Sequence, residues 1–210
     1  MSRQRTNLQL TSKGEIKENP PFKAIKDAIR IRQHMLADAH LMCLFEDISG
    51  EIVRRFRRGA KVLFCGNGGS AADAQHLAAE LSGRFYLDRA PLFAEALTVN
   101  TSYLTAVAND YSFDEIFARL IYAKGRKGDV LVAISTSGDS GNVVKALEAA
   151  RRIGMMTVGF TGSRRGAMNS LCTYLVEVPS TDTARIQETH IMIGHVICEM
   201  VEKGLFDGQA

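Results

Sequence analysis

The chain has 210 residues, of which 46% are apolar and 23% charged, and its formal net charge is +3. This balance excludes intrinsic disorder, and the length suits one globular domain with a sizeable core. No apolar run reaches the roughly 18–20 residues that span a bilayer, and no signal-peptide pattern opens the chain. We therefore expect a soluble, cytoplasmic protein with no membrane partner.

The positive charge is concentrated in the first 60 residues, which carry 12 Lys and Arg against 7 Asp and Glu; the rest of the chain carries 14 against 16. Its densest point is the run Arg54, Arg55, Arg57 and Arg58. Such a cluster either contacts nucleic acid or forms the solvated end of a helix, stabilised by the helix dipole. We favour the helix end and expect no nucleic-acid partner. The four cysteines form no CxxC pair and have apolar neighbours, which predicts reduced, buried thiols.

Short apolar strands alternate with helices along the chain. After a polar, flexible tail at 1–21, residues 22–57 are expected to form one long helix or two consecutive helices. Strands are then predicted at 61–66, 93–99, 129–135, 155–162 and 174–179, and helices at 70–85, 101–109, 113–124, 141–153 and 183–204. Near-continuous apolar strands separated by helices are typical of a parallel sheet covered on both faces. We therefore predict one α/β domain over 22–210, a three-layer sandwich with an N-terminal helical extension at 22–57.

The first candidate ligand loop is CGNGGSA at 65–71. It follows a strand, and parallel α/β sheets bind ligands beyond the carboxyl ends of their strands. Its glycines let the backbone approach a ligand, and a helix begins at once, with Ser70 as the expected N-cap and Asp73 as its partner. The alternative is a tight strand-to-helix turn with an ordinary cap.

The second candidate loop is STSGDSGN at 135–142, which also follows a strand. It contains no Lys or Arg, so hydrogen bonds and the helix dipole would have to hold an anion. Neither loop has the Walker A or GxGxxG spacing, so a monophosphate fits better than a nucleotide. The alternative is a polar, solvated loop. The four hydroxyls that would contact the phosphate are those of Ser135, Thr136, Ser137 and Ser140.

The ionisable residues suggest a metal or acid–base site. His76 and Glu80 are four residues apart on one helix, a spacing that suits two metal ligands, an acid and a base, or a surface ion pair. Gln187 and His195 are eight apart on the last helix, which means a rise of about 12 Å and a rotation of about 80°. Two such side chains do not easily reach one ion, so we expect a second subunit to supply one of them.

Taken together, four segments carry a resemblance to a known family: CGNGGSAADAQHLAAELSGRF, TAVANDYSFDEIF, GDVLVAISTSGDSGNVVKAL and TARIQETHIMIGHVICEMVE. They resemble the sugar-isomerase (SIS) domain family, and within it the phosphoheptose isomerases, over about residues 25–205. The resemblance implies a flavodoxin-like fold with a five-stranded parallel sheet, and a homotetramer whose subunits share sites that hold one zinc ion per subunit. It implies a sugar phosphate substrate: sedoheptulose 7-phosphate is converted to D-glycero-D-manno-heptose 7-phosphate, the first step of nucleotide-activated heptose biosynthesis.

The resemblance also implies residue roles. Glu80 would be the base and His195 the acid of an aldose–ketose isomerisation through an enediol. The implied metal ligands are His76, Glu80, Gln187 and His195. The implied substrate contacts are Asn67, Gly68, Gly69, Ser70, Glu80, Asn109, Asp110, Ser135, Thr136, Ser137, Ser140 and Gln187.

Two other functions fit parts of the sequence. Some SIS proteins close to this family bind a replication-initiator protein and are not known for isomerase activity, but they differ in the second loop, which is intact here. An SIS regulator that senses a sugar phosphate would carry a DNA-binding domain, and none is visible beside the isomerase core. We therefore favour the enzyme.

Overall fold

The computed structural model describes residues 19–207, which form seven α-helices and one five-stranded sheet. The strands are β1 (Val62–Gly66), β2 (Ala94–Ala96), β3 (Val130–Ile134), β4 (Met156–Gly162) and β5 (Tyr174–Val178). The helices are α1 (Pro20–Leu36), α2 (Ala39–Phe56), α3 (Gly69–Ser82), α4 (Thr101–Asp110), α5 (Ile116–Lys124), α6 (Gly141–Ile153) and α7 (Thr183–Phe206). Two short 3-10 helices lie at Phe113–Glu115 and Ala167–Ser170. Residues 1–18 of the tail predicted at 1–21 lie outside the described residues.

The sheet is entirely parallel, with strand order β2-β1-β3-β4-β5. β1 therefore pairs with β2 on one side and with β3 on the other, where Gly66 is in register with Ile134. From β1 the chain adds β2 on one side of the sheet and then β3 on the other. The loops after β1 and β3 therefore lie side by side at the carboxyl edge. That crevice is where parallel α/β sheets bind their ligands.

Each face of the sheet has its own hydrophobic core. Successive strand residues point to opposite faces, so Val62 and Phe64 pack with α2, α3 and α7, whereas Leu63 and Cys65 pack with α5 and α6. Ile31 and Met35 of α1 belong to the first of these cores. The result is the predicted three-layer α/β sandwich, and the prediction of a parallel five-stranded sheet is confirmed.

The structure refines two element predictions. Residues 22–57 form two helices, because the Asp38 side chain accepts a hydrogen bond from Leu41 N and caps a new helix. The first helix begins at Pro20, within the predicted tail, after the N-cap Asn19. Strand β2 is only three residues long, against seven predicted, since it pairs only with β1 and Val99 is 54% exposed.

The arginine cluster at the end of α2 is engaged in local contacts. Arg54 and Arg55 form ion pairs with Glu51, and Arg57 donates to the carbonyl of Gly204. All four cysteines are free thiols. Cys65 and Cys198 are buried as predicted, Cys172 is half-buried, and Cys43 is exposed, so the prediction that every thiol is buried was wrong for Cys43. Within residues 19–207, no helix combines the length and apolar character needed to cross a membrane.

A buried histidine on α7 gives a pH prediction. His190 is fully buried and donates from Nε2 to the Thr161 carbonyl (3.2 Å); burial lowers its pKa from 6.5 to about 4 although that hydrogen bond opposes the shift. The unfolded histidine takes up a proton first, so the free energy of unfolding should fall as pH drops from 6.5 towards 4. Between pH 7 and pH 4.5 this amounts to about 2–3 kcal/mol.

The measurement is urea unfolding at both pH values for the wild type and His190→Gln, which keeps an N–H donor for Thr161. Other titrating groups are common to the two proteins and cancel in the comparison. We expect the wild type to lose about 2–3 kcal/mol more than the variant on acidification. Equal losses would show that His190 does not have a depressed pKa in the native protein.

Candidate active site at the carboxyl edge of the sheet

The first loop opens the amino end of α3 to the crevice. Gly68 has φ +56°, a left-handed conformation that favours glycine, and it occupies the N-cap position with no side-chain cap. The expectation that Ser70 caps this helix was wrong: Ser70 lies inside the first turn and is buried. The amides of Ser70 and Ala71 donate to the carbonyls of Asn67 and Gly68 (both 3.0 Å), so backbone bonds close the first turn of α3 without a side-chain cap.

The second loop gathers its hydroxyls at the start of α6. Ser135 Oγ lies 2.9 Å from Ser140 Oγ and 3.4 Å from Ser137 Oγ. Ser140 is the N-cap residue, but its hydroxyl makes no cap hydrogen bond. The three hydroxyls therefore cluster at the amino end of α6, where hydroxyls and helix N–H groups together suit an anion without a cation.

A pair of amides joins the two loops. Asn67 Nδ2 donates to Asn142 Oδ1 and Asn142 Nδ2 donates to Asn67 Oδ1, both at 2.8 Å. Asn142 is buried, and two reciprocal hydrogen bonds fix both planes. Asn67 was predicted to contact substrate, but the role of Asn142 was missed, although it lies within the second-loop motif.

The ionisable residues His76, Glu80 and His195 converge between helices α3 and α7. His76 Nε2 lies 2.9 Å from His195 Nε2 and 3.2 Å from Glu80 Oε1. One ligand atom from each residue lies within 4.8 Å of the other two. Helices α3 and α7 pack together and bring these side chains into contact across more than 100 residues of sequence. Two imidazole nitrogens and a carboxylate oxygen at this spacing form a donor set suited to zinc.

Gln187 is also on α7, but it faces the amino end of α3 and not His76 and Glu80. A Cβ built on Gly69 would come within 2.5 Å of Gln187 Nε2, so the Gln187 amide rests on the amino end of α3. Gly69 and His76 are seven residues apart, about 10 Å along the helix axis. Within one chain, Gln187 therefore contacts the first loop, while His195 contacts His76 and Glu80.

Two further predicted residues end helix α4. Asn109 Nδ2 donates to Asp110 Oδ1 (2.9 Å), and both residues are exposed. The 3-10 helix that follows them brings Asp114 against the start of α6, where a Cβ on Gly141 would lie 2.7 Å from Asp114 Oδ1. This 3-10 helix therefore links the end of α4 to the start of α6.

Asp73 lies one helical turn before His76. Burial raises its pKa from 3.8 to about 6, although the charge of His76 opposes the shift, and its Oδ2 atom is buried with no hydrogen-bond partner among the described residues. Its expected role as the partner of a Ser70 cap disappears with that cap. The i, i+3 spacing to His76 is the signal by which its place beside the ionisable cluster could have been found.

Comparison with known proteins supports the sequence resemblance. The profile of the SIS domain family matches residues 25–162. Phosphoheptose isomerase 2 of Campylobacter jejuni is 49% identical over 180 residues, which cover 86% of this chain and 90% of that protein. Phosphoheptose isomerase of Rhodospirillum rubrum is 57% identical over 159 residues, covering 76% and 85% respectively.

Solved structures of phosphoheptose isomerases also match the fold of this chain. A phosphoheptose isomerase from Neisseria gonorrhoeae matches with a TM-score of 0.80 at 40% identity, covering 86% of this chain and 96% of that one. One from Francisella tularensis matches with a TM-score of 0.82 at 34% identity, covering 86% and 95%. The chain belongs to the SIS domain family and, within it, to the phosphoheptose isomerases.

Proposed function

We propose that this protein converts sedoheptulose 7-phosphate to D-glycero-D-manno-heptose 7-phosphate through an enediol, as the first step of nucleotide-activated heptose biosynthesis. The observation that carries the proposal is the convergence of Glu80, His76 and His195 between α3 and α7, in a chain whose second loop gathers three hydroxyls at the start of α6. One part supplies groups that move protons, and the other holds a phosphate without a cation. The names of the relatives point to the same substrate class.

The reaction moves hydrogen between C1 and C2 of the sugar. The Glu80 carboxylate takes a proton from C1 while His195 donates one to the C2 oxygen, which gives the enediol. The Glu80 carboxylic acid then returns its proton to C2, and His195 takes the proton from the C1 oxygen, which leaves the aldehyde. Each group so placed contributes about 10²–10⁴-fold to the rate.

The proposal includes one zinc ion per subunit. His76, Glu80 and His195 have the donor atoms and spacing for it, and Gln187 would complete the set from another subunit. When bound, zinc would act as a Lewis acid that polarises the substrate oxygens, worth several kcal/mol. A carboxylate bound to zinc is a weaker base, so binding the metal and taking the proton compete for Glu80.

The second loop would hold the phosphate through the hydroxyls of Ser135, Thr136, Ser137 and Ser140. Asn67, Gly68, Gly69, Ser70, Asn109, Asp110 and Gln187 complete the proposed substrate contacts. The phosphate is remote from C1 and C2, so its binding serves to orient the reacting carbons. The Asn67–Asn142 amide pair fixes the first loop relative to the second.

Ser137→Ala tests the phosphate role. Removing one hydrogen bond to a charged group costs about 1.5–3 kcal/mol, so KM should rise about 10–100-fold while kcat changes less than about threefold. Steady-state kinetics measure both constants. Ser163→Ala, in the loop after β4, is the matched control and should leave both unchanged. A fall in kcat with KM unchanged would contradict a purely binding role.

A homotetramer with shared sites is part of the proposal. The α1 helix exposes Ile25 (63%) and Ile29 (51%) on one face, an apolar surface that a second subunit would cover. The separation of Gln187 from His195 on α7 supports a site completed between chains. A cytoplasmic location is also proposed, because all four cysteines are free thiols, as in a reducing compartment. A monomer by light scattering would contradict the shared site.

The decisive experiment is incubation of purified protein with sedoheptulose 7-phosphate, with and without a chelator, followed by detection of the aldose. Product in both reactions supports the isomerase without a catalytic metal. Loss in chelator that zinc restores supports the metal as well. No aldose in either reaction, even with added zinc, would contradict the proposal and favour a binding protein.

A further inference from the structure

The segment that follows α3 is held by a buried ion pair between Arg89 and Glu202. Arg89 Nε lies 3.0 Å from Glu202 Oε1, and the two side chains are only 3% and 2% exposed. Glu202 belongs to the last turns of α7, whereas Arg89 lies in the loop between α3 and β2. A charge pair so completely removed from water needs further hydrogen bonds to offset its desolvation.

Both partners have those hydrogen bonds. The Glu202 carboxylate accepts from the backbone N–H groups of Phe85 (3.2 Å), Tyr86 (2.8 Å) and Leu87 (2.9 Å). Burial alone raises the pKa of Glu202, but these bonds and Arg89 outweigh it, so the net pKa is lowered and the carboxylate stays charged at neutral pH.

The guanidinium of Arg89 binds the end of α3. It donates to four backbone carbonyl oxygens, including those of Glu80 (2.9 Å) and Leu81 (2.7 Å). The Glu80 and Leu81 carbonyls belong to the last turn of α3, where carbonyl oxygens have no partner inside the helix. Arg89 therefore fixes the backbone from which the Glu80 side chain projects.

Glu202 reaches the other proposed catalytic residue through Phe85. The Phe85 ring stacks on the His195 imidazole, with centroids 5.6 Å apart and planes 26° apart. The backbone N–H of that same Phe85 is bound by the Glu202 carboxylate. Arg89 therefore contacts the backbone of Glu80 directly, and Glu202 is connected to His195 through Phe85.

We propose that Arg89 and Glu202 are positioning residues that set the placement of Glu80 relative to His195. Both are buried, so neither would touch substrate, and each acts through the backbone of Glu80 or the ring of Phe85. This inference rests on the roles proposed above for Glu80 and His195. Misplacement of a reacting group by about 1 Å can cost about 10²-fold in rate.

A second buried ion pair provides the matched control. The Asp129 carboxylate accepts from Lys61 Nζ (2.5 Å) and from the backbone N–H groups of Lys61 (3.1 Å) and Arg126 (2.8 Å). It is built like the Glu202 site but lies at the amino edge of the sheet, beside the start of β1 and β3. Asp129→Asn therefore damages a similar buried network at the opposite edge from the crevice.

The experiment compares Glu202→Gln with Asp129→Asn. Both should lower the melting temperature. Only Glu202→Gln should lower kcat for the isomerisation, by about 10–100-fold, with KM within about threefold of wild type. Arg89→Lys, which keeps the charge but loses the planar fork of donors, serves as the second variant if Glu202→Gln does not fold. A kcat loss no larger than that of Asp129→Asn would overturn the proposal.

An activity-independent measurement separates this inference from the proposed function. The Phe85 ring is stacked on the His195 imidazole, so its ring current should shift the His195 resonances in carbon–proton NMR spectra. We expect those resonances to move in Glu202→Gln and to stay in place in Asp129→Asn. If the wild type has no isomerase activity, the proposed function fails, while this comparison still tests the positioning. Unmoved His195 resonances in Glu202→Gln would overturn it.

Discussion

Glu80→Gln is expected to reduce kcat by about 10²–10⁴-fold while the protein remains folded. The carboxamide has nearly the size of the carboxylate but cannot take a proton from carbon. The Glu80 side chain is 21% exposed and contacts His76 from the surface of α3, so the substitution creates neither a cavity nor an unpaired buried charge. The measurement is steady-state turnover of sedoheptulose 7-phosphate, with exchange of the C1 proton in D₂O followed by NMR.

Glu199→Gln is the control for Glu80→Gln. Glu199 forms an ion pair with Lys203 (2.6 Å) on α7, one turn beyond His195, so the same chemical change is made at a carboxylate outside the His76, Glu80 and His195 cluster. We expect its turnover and exchange to equal those of wild type. Glu80→Gln with more than a tenth of wild-type kcat, or with wild-type C1 exchange, would exclude Glu80 as the base.

His195→Ala should lower kcat by a comparable 10²–10⁴-fold, since a proton must move between the two substrate oxygens in every turnover. The two variants should differ in exchange: His195→Ala keeps the base and should retain slow C1 exchange with D₂O, whereas Glu80→Gln should lose it. His40→Ala removes an exposed imidazole at the start of α2 and is the control. Wild-type turnover in His195→Ala would remove the imidazole from the mechanism.

Metal content gives a second readout for the same two variants. Each substitution removes one donor of the three-residue cluster, so both should bind zinc more weakly by calorimetry. Weakened zinc binding with intact turnover would mean that the cluster holds metal without doing the chemistry. Intact zinc binding with lost turnover would assign the two residues to proton transfer alone.

The strands could be predicted from the sequence wherever all of their residues are buried. All residues of β1, β3 and β4 are buried, so these strands appear as near-continuous apolar runs, interrupted only by Thr157 and Thr161 in β4. Strand β2 lies at the edge, and there the apolar run continues beyond the three paired residues. Ser70 matched a cap pattern, but Gly68 took the cap position because glycine accepts its positive φ. Local patterns thus failed where pairing length or backbone conformation decided the outcome.

The site could be predicted only in part. His76 and Glu80 share a helix, so their spacing alone indicated a pair, whereas His195 joins them only through the packing of α3 on α7. Resemblance to a family supplied that link. Asn142 lies within the second-loop motif, but nothing in the sequence indicated its pairing with Asn67, 75 residues away. Glu202 matches no motif, and its partners lie more than 100 residues away. Side-chain contacts between distant segments need the tertiary structure.

The reciprocal Asn67–Asn142 bonds have an evolutionary consequence. A change at either position alone leaves the other carboxamide with an unmet donor and acceptor in a largely dry setting, which costs about 1–3 kcal/mol. A compensating change would have to appear 75 residues away in the same lineage. Among descendants of this gene, the two positions should therefore stay fixed together or vary together, so the first and second loops are inherited as one unit.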